Sequence, residues 1–136
     1  MTHFSQQQKV LFKHCDPAGI VFYPRYFEMM NDCVEAFFDQ ALGMPFEKLH
    51  TNGGLPTAAI NTRFAAPSRH GDWLDLRLAF TRIGTTSATY KMTAICKGQL
   101  RFETVATLVS VGKDGRPKRW ADDLRQKLEA YKESDA

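Results

Sequence analysis

The sequence contains no apolar run long enough to cross a bilayer, for which about 20 consecutive residues are needed. Its start, MTHFSQQQ, is polar and lacks the apolar segment of a secretory signal. A cytoplasmic location without membrane contact is therefore the default expectation.

Cysteine and histidine are also scarce. The cysteines are Cys15, Cys33 and Cys96, no two of them have C-x-x-C spacing, and the chain has four histidines. These spacings favour neither a disulfide framework nor a zinc site. We therefore expect no metal and no redox cofactor.

A strong charge of either sign is missing as well. The 136 residues carry 18 Lys and Arg against 15 Asp and Glu, which gives a formal net charge of +3. Such a mild excess does not indicate nucleic-acid binding, although it suits an anionic ligand such as a nucleotide-bearing thioester. With 43% hydrophobic and 24% charged residues, the composition predicts one globular domain over residues 1–136.

The most informative stretch covers residues 14–38, HCDPAGIVFYPRYFEMMNDCVEAFF. Asp16 precedes a proline, which excludes the α conformation from the preceding residue, and D-P-A-G predicts a turn at the end of a strand. Pro24 suits the first position of a helix, which makes Tyr23 the expected N-cap residue. Helical spacing of apolar residues then predicts a long helix over about 24–41.

Most of the remaining chain alternates apolar and polar residues with the period of two that is typical of strands. We expect strands at about residues 7–14, 57–66, 73–82, 87–97 and 100–111, and a short amphipathic helix from about Ala121. Short connections between the later strands predict an antiparallel sheet, and only the long helix can cover its apolar face. The predicted fold belongs to the α+β class, with a sheet of about five strands wrapped around a central helix.

The start of the long helix suggests a chemistry. Unpaired N–H groups and the positive end of the helix dipole would lie a few residues from the Asp16 carboxylate. A carbonyl between them could be polarised by the N–H groups while the carboxylate attacks it or activates water, which describes an ester or thioester hydrolase. A simpler alternative stays open, in which Asp16 only forms the turn by bonding its own backbone.

Neighbouring residues offer other candidates. Cys15 and His14 are adjacent in a predicted strand, so their side chains point to opposite faces and cannot meet as nucleophile and base. Phe22, Tyr23, Met29 and Met30 are expected to line an acyl pocket or to pack in the core, where such side chains are usually found.

The run CDPAGIVFYPRYF, followed by a helix and long antiparallel strands, resembles the hotdog-fold thioesterases of the 4-hydroxybenzoyl-CoA thioesterase type. The similarity is close through residues 14–27 and extends as topology over about 9–112. It implies that Asp16 is the catalytic carboxylate and that the backbone N–H of Tyr23 polarises the thioester carbonyl. It also implies a homodimer or homotetramer, with the active site at a subunit interface and the CoA nucleotide lying across the surface.

Two features depart from the hydroxybenzoyl enzyme. Asn31 stands where that enzyme has a carboxylate that reads the hydroxyl of the acyl group, and an amide there would still hydrogen-bond a polar acyl substituent. The adjacent arginines that hold the CoA phosphates near residues 84–85 are absent. Their nearest substitutes, expected to bind CoA, are Arg82, Ser87, Lys118 and Arg119.

The sequence thus predicts an acyl-CoA thioesterase that hydrolyses an aromatic or short acyl thioester as a homo-oligomer. No nucleic-acid or membrane partner is expected. An aliphatic or dihydroxynaphthoyl thioester is a second substrate hypothesis on the same fold. A different class also stays open, namely a non-catalytic module that binds acyl-CoA or an acyl carrier, and thiol release separates this module from an enzyme.

Overall fold

The computed structural model describes residues 2–133. The strands are β1 Phe4–Lys9, β2 Gly53–Gly54, β3 Thr57–Phe64, β4 Trp73–Ile83, β5 Ser87–Cys96, β6 Gln99–Val109 and β7 Val111–Gly112. The helices are α1 Tyr23–Gln40, α2 Phe46–Leu49 and α3 Asp122–Glu129, and a 3₁₀ turn covers Phe12–His14. The long predicted strands lie within two residues of their observed bounds, except the first.

Five strands form one antiparallel sheet in the order β1-β4-β5-β6-β3, and β2 pairs separately with β7. The predicted antiparallel sheet of about five strands is confirmed. Because β1 and β3 lie at its two edges, each has one side without a partner strand in the described part of the chain.

Helix α1 covers one face of this sheet. Its buried side chains recur at helical spacing: Tyr26, Met29, Met30, Cys33, Val34, Phe37 and Phe38. They form one core with alternate strand residues, of which Leu76, Phe80, Met92 and Phe102 are fully buried. Burying a side chain of this size contributes roughly 1.5–3 kcal/mol relative to exposure. The predicted wrapping of the sheet around the helix is confirmed, and Met29 and Met30 of α1 belong to the core.

The start of α1 lies one residue earlier than predicted. Tyr23 is its first residue, and the N-cap residue is Phe22, which is extended with φ −69° and ψ 119°. The prediction of Tyr23 as N-cap is therefore wrong. Pro24 occupies the second helical position, where its missing N–H is also without an intrahelical partner, so proline alone could not fix the boundary.

The predicted first strand at residues 7–14 is also wrong. The strand lies earlier, at Phe4–Lys9, and the chain then enters the 3₁₀ turn Phe12–His14. Phe12, which strand alternation would place on the same side as the buried Val10, is 82% exposed. The observed strand, FSQQQK, has glutamines at two of its three inward positions, so it lacks the apolar alternation that marks a strand.

The β3 edge is only partly covered. Ile60 and Phe64 lie opposite Ala106 and Phe102 of β6, which places their side chains on the α1 face of the sheet. They are nevertheless 45% and 44% exposed. Helix α1 therefore leaves apolar surface open between itself and the β3 edge.

Candidate active site

The predicted turn closes a short antiparallel ladder that leads into α1. The amide of Asp16 donates to the Ile20 carbonyl at 2.9 Å, and the amide of Phe22 donates to the His14 carbonyl at 2.9 Å. Gly19 donates to the Asp16 carbonyl at 2.9 Å and has a φ of +81°, a left-handed conformation that glycine adopts without strain. The D-P-A-G turn therefore fixes where Asp16 lies relative to the head of α1.

The side chain of Asp16 is half-buried and forms part of its own turn. Its Oδ1 accepts the N–H of Ala18 at 2.9 Å, which is the bond that a purely turn-forming aspartate makes. Its Oδ2 has no hydrogen-bond partner among residues 2–133. One oxygen is thus engaged in the turn, and the second is available.

The backbone N–H of Tyr23 is an unpaired donor at the head of α1. Pro24 has no N–H, and the next amide, that of Arg25, donates to the Phe22 carbonyl at 2.8 Å. Within residues 2–133 the Tyr23 N–H has no acceptor. Because the positive end of the helix dipole lies at the same place, this N–H can donate to an oxygen that develops negative charge.

An apolar groove of about 500 Å³ lies beside this donor. Its lining residues come from the segment before α1, the first turn of α1 and the end of β3: Ile20, Val21, Tyr23, Tyr26, Phe64, Ala65, Ala66 and Pro67. The ring of Phe64 packs edge-on against Tyr23 and stacks on Tyr26, with centroids 5.8 Å apart in both pairs. Asp16 does not line this groove.

Two predicted substrate residues lie outside the groove. Phe22 is 49% exposed, and its ring packs edge-on against Tyr23 rather than lining the groove. Asn31 is exposed on α1 and lines two other clefts. One, of about 490 Å³, lies between α1 and β3, and the other, of about 530 Å³, lies beside His14.

The four residues predicted to bind CoA lie together at the opposite end of the sheet. Arg82 and Ser87 flank the β4–β5 turn, and the segment with Lys118 and Arg119 docks there, because the Trp120 indole donates to the Ser87 carbonyl at 3.1 Å. Strand β4 has 11 residues, so this end lies roughly 35 Å from the start of β4, near the Asp16 turn. One chain therefore does not bring these residues to the groove.

Sequence reasoning missed the contribution of the loop 65–72, which it treated only as a break between strands. The carbonyl of Ser68 accepts the Val21 N–H at 2.9 Å, and Arg69 pairs with Ile20. The same loop supplies one wall of the groove. No periodicity in the sequence indicates this pairing, because it joins two irregular segments.

His14 has a structural role in the turn that precedes Asp16. Its side chain is buried, and its Nδ1 accepts the Leu11 N–H at 2.8 Å. Burial lowers the pKa of the imidazole, so the neutral form that accepts this bond is favoured. His14 thereby fixes the 3₁₀ turn from which the Asp16 ladder starts.

Comparison with known families places these features in context. The family model described as the thioesterase-like superfamily matches residues 10–128. The chain belongs to the thioesterase-like superfamily. A search of curated proteins found no match to this sequence.

Solved structures of several thioesterases share this hotdog fold. A 1,4-dihydroxy-2-naphthoyl-CoA thioesterase from Synechocystis is 16% identical, with a TM-score of 0.86 over 93% of this chain and 96% of that chain. The 4-hydroxybenzoyl-CoA thioesterase from Pseudomonas sp. strain CBS-3 is 21% identical, with a TM-score of 0.85 over 92% and 98%. A gentisyl-coenzyme A thioesterase is 24% identical, with a TM-score of 0.83 over 90% and 99%.

Several other features of this superfamily member bear on its chemistry. Burial raises the pKa of the Cys33 thiol to about 12, so this side chain is not a thiolate nucleophile near neutral pH. Residues 2–133 contain no cluster of three or more His, Cys, Asp or Glu arranged to hold a metal ion. No helix among these residues is both long and apolar enough to span a membrane.

Proposed function

We propose that this protein hydrolyses acyl-CoA thioesters. The observation that carries the proposal is the N–H of Tyr23 at the head of α1, which has no acceptor among residues 2–133 and lies next to an apolar groove of about 500 Å³. An acyl group in the groove would bring its carbonyl oxygen to this N–H. A donor aligned with the helix dipole stabilises the oxyanion that forms when such a carbonyl is attacked.

Asp16 is the proposed catalytic carboxylate, and two routes remain. In the first, a carboxylate oxygen forms a bond to the thioester carbon, the C–S bond breaks, and CoA leaves as a thiolate that is then protonated; water hydrolyses the resulting mixed anhydride and regenerates Asp16. In the second, Asp16 removes a proton from the water that attacks the same carbon, the C–S bond breaks, and the departing CoA thiolate takes up that proton. In both routes the Tyr23 N–H stabilises the oxyanion.

A non-catalytic acyl-CoA or acyl-carrier binding module is the second candidate. The observation that favours it is the Oδ1 of Asp16, which accepts the Ala18 N–H, together with the absence of Asp16 from the lining of the groove. A carboxylate in this arrangement serves a turn without touching a substrate. The groove and the Tyr23 N–H would then only bind the thioester.

The proposed test measures thiol release from a panel of aromatic and aliphatic acyl-CoAs and then compares the variant Asp16→Asn. Asparagine keeps the oxygen that accepts the Ala18 N–H, so the turn is retained while the carboxylate is lost. We expect kcat to fall by about 10²–10⁴-fold, with KM largely unchanged. Asp114→Asn is the matched control, because Asp114 Oδ1 also accepts a backbone N–H two residues on, that of Arg116 at 3.0 Å.

Three outcomes bear on these proposals. Undiminished hydrolysis by Asp16→Asn would refute the role of Asp16. Thermal stabilisation of the wild-type protein by CoA esters, without thiol release from any of them, would favour the binding module. A similar loss of activity in Asp114→Asn would mean that the loss in Asp16→Asn is not specific to the Asp16 carboxylate.

An aromatic acyl group is the proposed substrate class. The groove presents the rings of Tyr23, Tyr26 and Phe64, and three solved relatives of the same fold are named as thioesterases of aromatic CoA esters. Asn31 lines a separate cleft between α1 and β3, so its reading of a polar ring substituent stays a prediction. Preferential hydrolysis of aliphatic esters would instead support the aliphatic form of the second substrate hypothesis, and preference for the dihydroxynaphthoyl ester among the aromatic ones would support its other form.

We further propose that the enzyme acts as a homodimer joined through its β3 edges. Strand β3 has one backbone edge without a partner strand among residues 2–133, no proline within it, and the partly exposed Ile60 and Phe64 on its α1 face. Antiparallel pairing of two β3 strands about a two-fold axis would satisfy that edge in both chains and cover this apolar surface. A dimer of such dimers remains a prediction.

The same pairing would bring the separated parts of the site together. In an antiparallel pair, the Phe64 end of one β3 lies beside the Thr57 end of the other. The Asp16 turn lies at the first of these ends, and the set Arg82, Ser87, Lys118 and Arg119 lies at the second. The acyl group would then sit in the groove of one chain, with the CoA nucleotide on its partner.

A further inference from the structure

A single arginine connects β6 to the loop beside the groove. The Nη1 of Arg101 donates to the Pro67 carbonyl at 3.1 Å, the Ser68 hydroxyl at 3.2 Å and the Asp72 carboxylate at 2.7 Å. All three acceptors lie in the loop 65–72, and the Arg101 side chain is only 8% exposed. One guanidinium thus holds most of the length of this loop.

An irregularity in β6 directs Arg101 to this position. Along the β5–β6 pairing, Ala94 lies opposite Phe102 but Ile95 lies opposite Leu100, so Arg101 is an extra residue in its strand. Such bulges redirect a side chain and are common next to active sites. The Arg101 carbonyl also accepts the Ala65 N–H at 2.8 Å, so its backbone and side chain hold the same loop.

The loop in turn contacts the segment that enters α1. The Ser68 carbonyl accepts the Val21 N–H at 2.9 Å, two residues before Tyr23. We propose that Arg101 is a positioning residue for hydrolysis, acting through the loop 65–72 on the Tyr23 N–H and on the wall of the groove. This inference rests on the proposed function, but the geometry of the segment can be tested without it.

The chemistry of the contact suits positioning better than simple stabilisation. Burying a guanidinium and a carboxylate carries a large desolvation cost, so a buried pair adds little net stability over apolar packing. A planar guanidinium with several fixed N–H directions does, however, define the geometry of its acceptors. The carboxylate of Asp72 fits this role, because its Oδ2 accepts both the Arg69 N–H at 3.0 Å and the Arg101 guanidinium at 2.7 Å.

The test compares Arg101→Met and Arg101→Lys with the control Arg77→Met. Arg77 belongs to the same sheet and pairs with Asp75 at 2.9 Å, but its side chain is 48% exposed. At a temperature where all variants are folded by circular dichroism, we expect Arg101→Met to lower kcat by about 10- to 100-fold with KM within about threefold, because the Tyr23 donor is displaced. Arg101→Lys should recover part of the loss, and Arg77→Met should match the wild type.

Amide hydrogen exchange at Val21 provides the second readout. We expect faster exchange of this amide in both Arg101 variants, with unchanged exchange in the central strands. Folded Arg101→Met with wild-type kcat, or with wild-type exchange at Val21, would overturn the inference. If Arg101→Met does not fold, the same two comparisons are made with Arg101→Lys, and wild-type values there overturn it.

The kcat measurement and the hydrogen exchange at Val21 separate this inference from the proposed function. If the wild-type protein releases no thiol from any acyl-CoA, the proposed function fails, and exchange at Val21 still decides whether Arg101 holds the segment. If the wild type is active and the Arg101 variants keep their kcat, only the positioning role fails.

Discussion

Replacing Tyr23 by proline removes the backbone N–H that the proposed mechanism requires, together with the tyrosine ring. Tyr23 is the first residue of α1, a position that proline favours. The preceding Phe22, with φ −69° and ψ 119°, already has a conformation compatible with a following proline. Since the Tyr23 N–H has no acceptor among residues 2–133, no internal hydrogen bond is lost.

Tyr23→Ala is the matched control, because it loses the same ring and keeps the N–H. The ring is 58% exposed and packs edge-on against Phe64, a contact worth about 0.5–1.5 kcal/mol. Both variants lose this contact. A proline at a compatible site also stabilises a chain by about 0.4–1 kcal/mol, so Tyr23→Pro should melt no lower than Tyr23→Ala.

The expected difference between these two variants lies in kcat. Removing one oxyanion donor costs about 10²–10³-fold in kcat, or about 2.7–4 kcal/mol. We therefore expect Tyr23→Pro to hydrolyse its acyl-CoA about 10²–10³-fold more slowly than Tyr23→Ala, measured by thiol release at saturating substrate. Equal kcat values in the two folded variants would refute the assignment of the Tyr23 N–H as the oxyanion donor.

Two further predictions concern acid stability and assembly. The titration of His14 should not affect the free energy of unfolding above about pH 6.5, but this free energy should fall as the pH drops below that value. The reason is that the unfolded chain then takes up a proton at His14, whereas the native protein, in which the pKa of His14 is lowered, binds this proton only at lower pH. The pKa of Asp72 is held below its usual 3.8 by the Arg69 backbone N–H and the buried Arg101 guanidinium, so the free energy of unfolding should fall again as the pH drops through that lowered pKa. Urea unfolding at several pH values measures both effects. If the free energy of unfolding of His14→Gln depends on pH as that of the wild type does, the His14 prediction is contradicted. Mixing chains that carry Asp16→Asn with chains that carry both Lys118→Ala and Arg119→Ala should restore about one quarter of wild-type activity. The reason is that half of the randomly formed dimers contain one chain of each kind, and one of the two sites in each such dimer is intact. No restoration would contradict a site shared between subunits.

The sequence predicted the central helix and the long strands because their apolar residues have a regular period. The helical stripe through Tyr26, Met30 and Phe37 is buried as expected, and α1 begins within one residue of its predicted start. The alternation of Leu74, Leu76, Leu78 and Phe80 likewise gives the buried face of β4. Burial on one face and regular backbone geometry together leave a strong signal in the sequence.

Features that depend on irregular backbone left no such signal. Arg101 has the same strand parity as the half-buried Glu103 and the exposed Val105, so alternation predicts an outward side chain. It is buried only because the bulge in β6 redirects it under the loop 65–72. The position of a bulge depends on pairing with other strands, which a single sequence does not reveal.

The two interpretations of Asp16 are compatible in physical terms. The bond from the Ala18 N–H to Oδ1 restricts rotation of the side chain, and a catalytic carboxylate gains rate when its orientation is fixed before the substrate arrives. The bond that looks purely structural would therefore also aim Oδ2, which has no partner within residues 2–133. Asparagine at this position keeps the orienting oxygen and replaces the carboxylate with a weak nucleophile and base, whereas alanine removes both the bond and the reactive group. A larger loss of stability in Asp16→Ala than in Asp16→Asn, with both equally inactive, is thus the combination expected if one side chain performs both tasks.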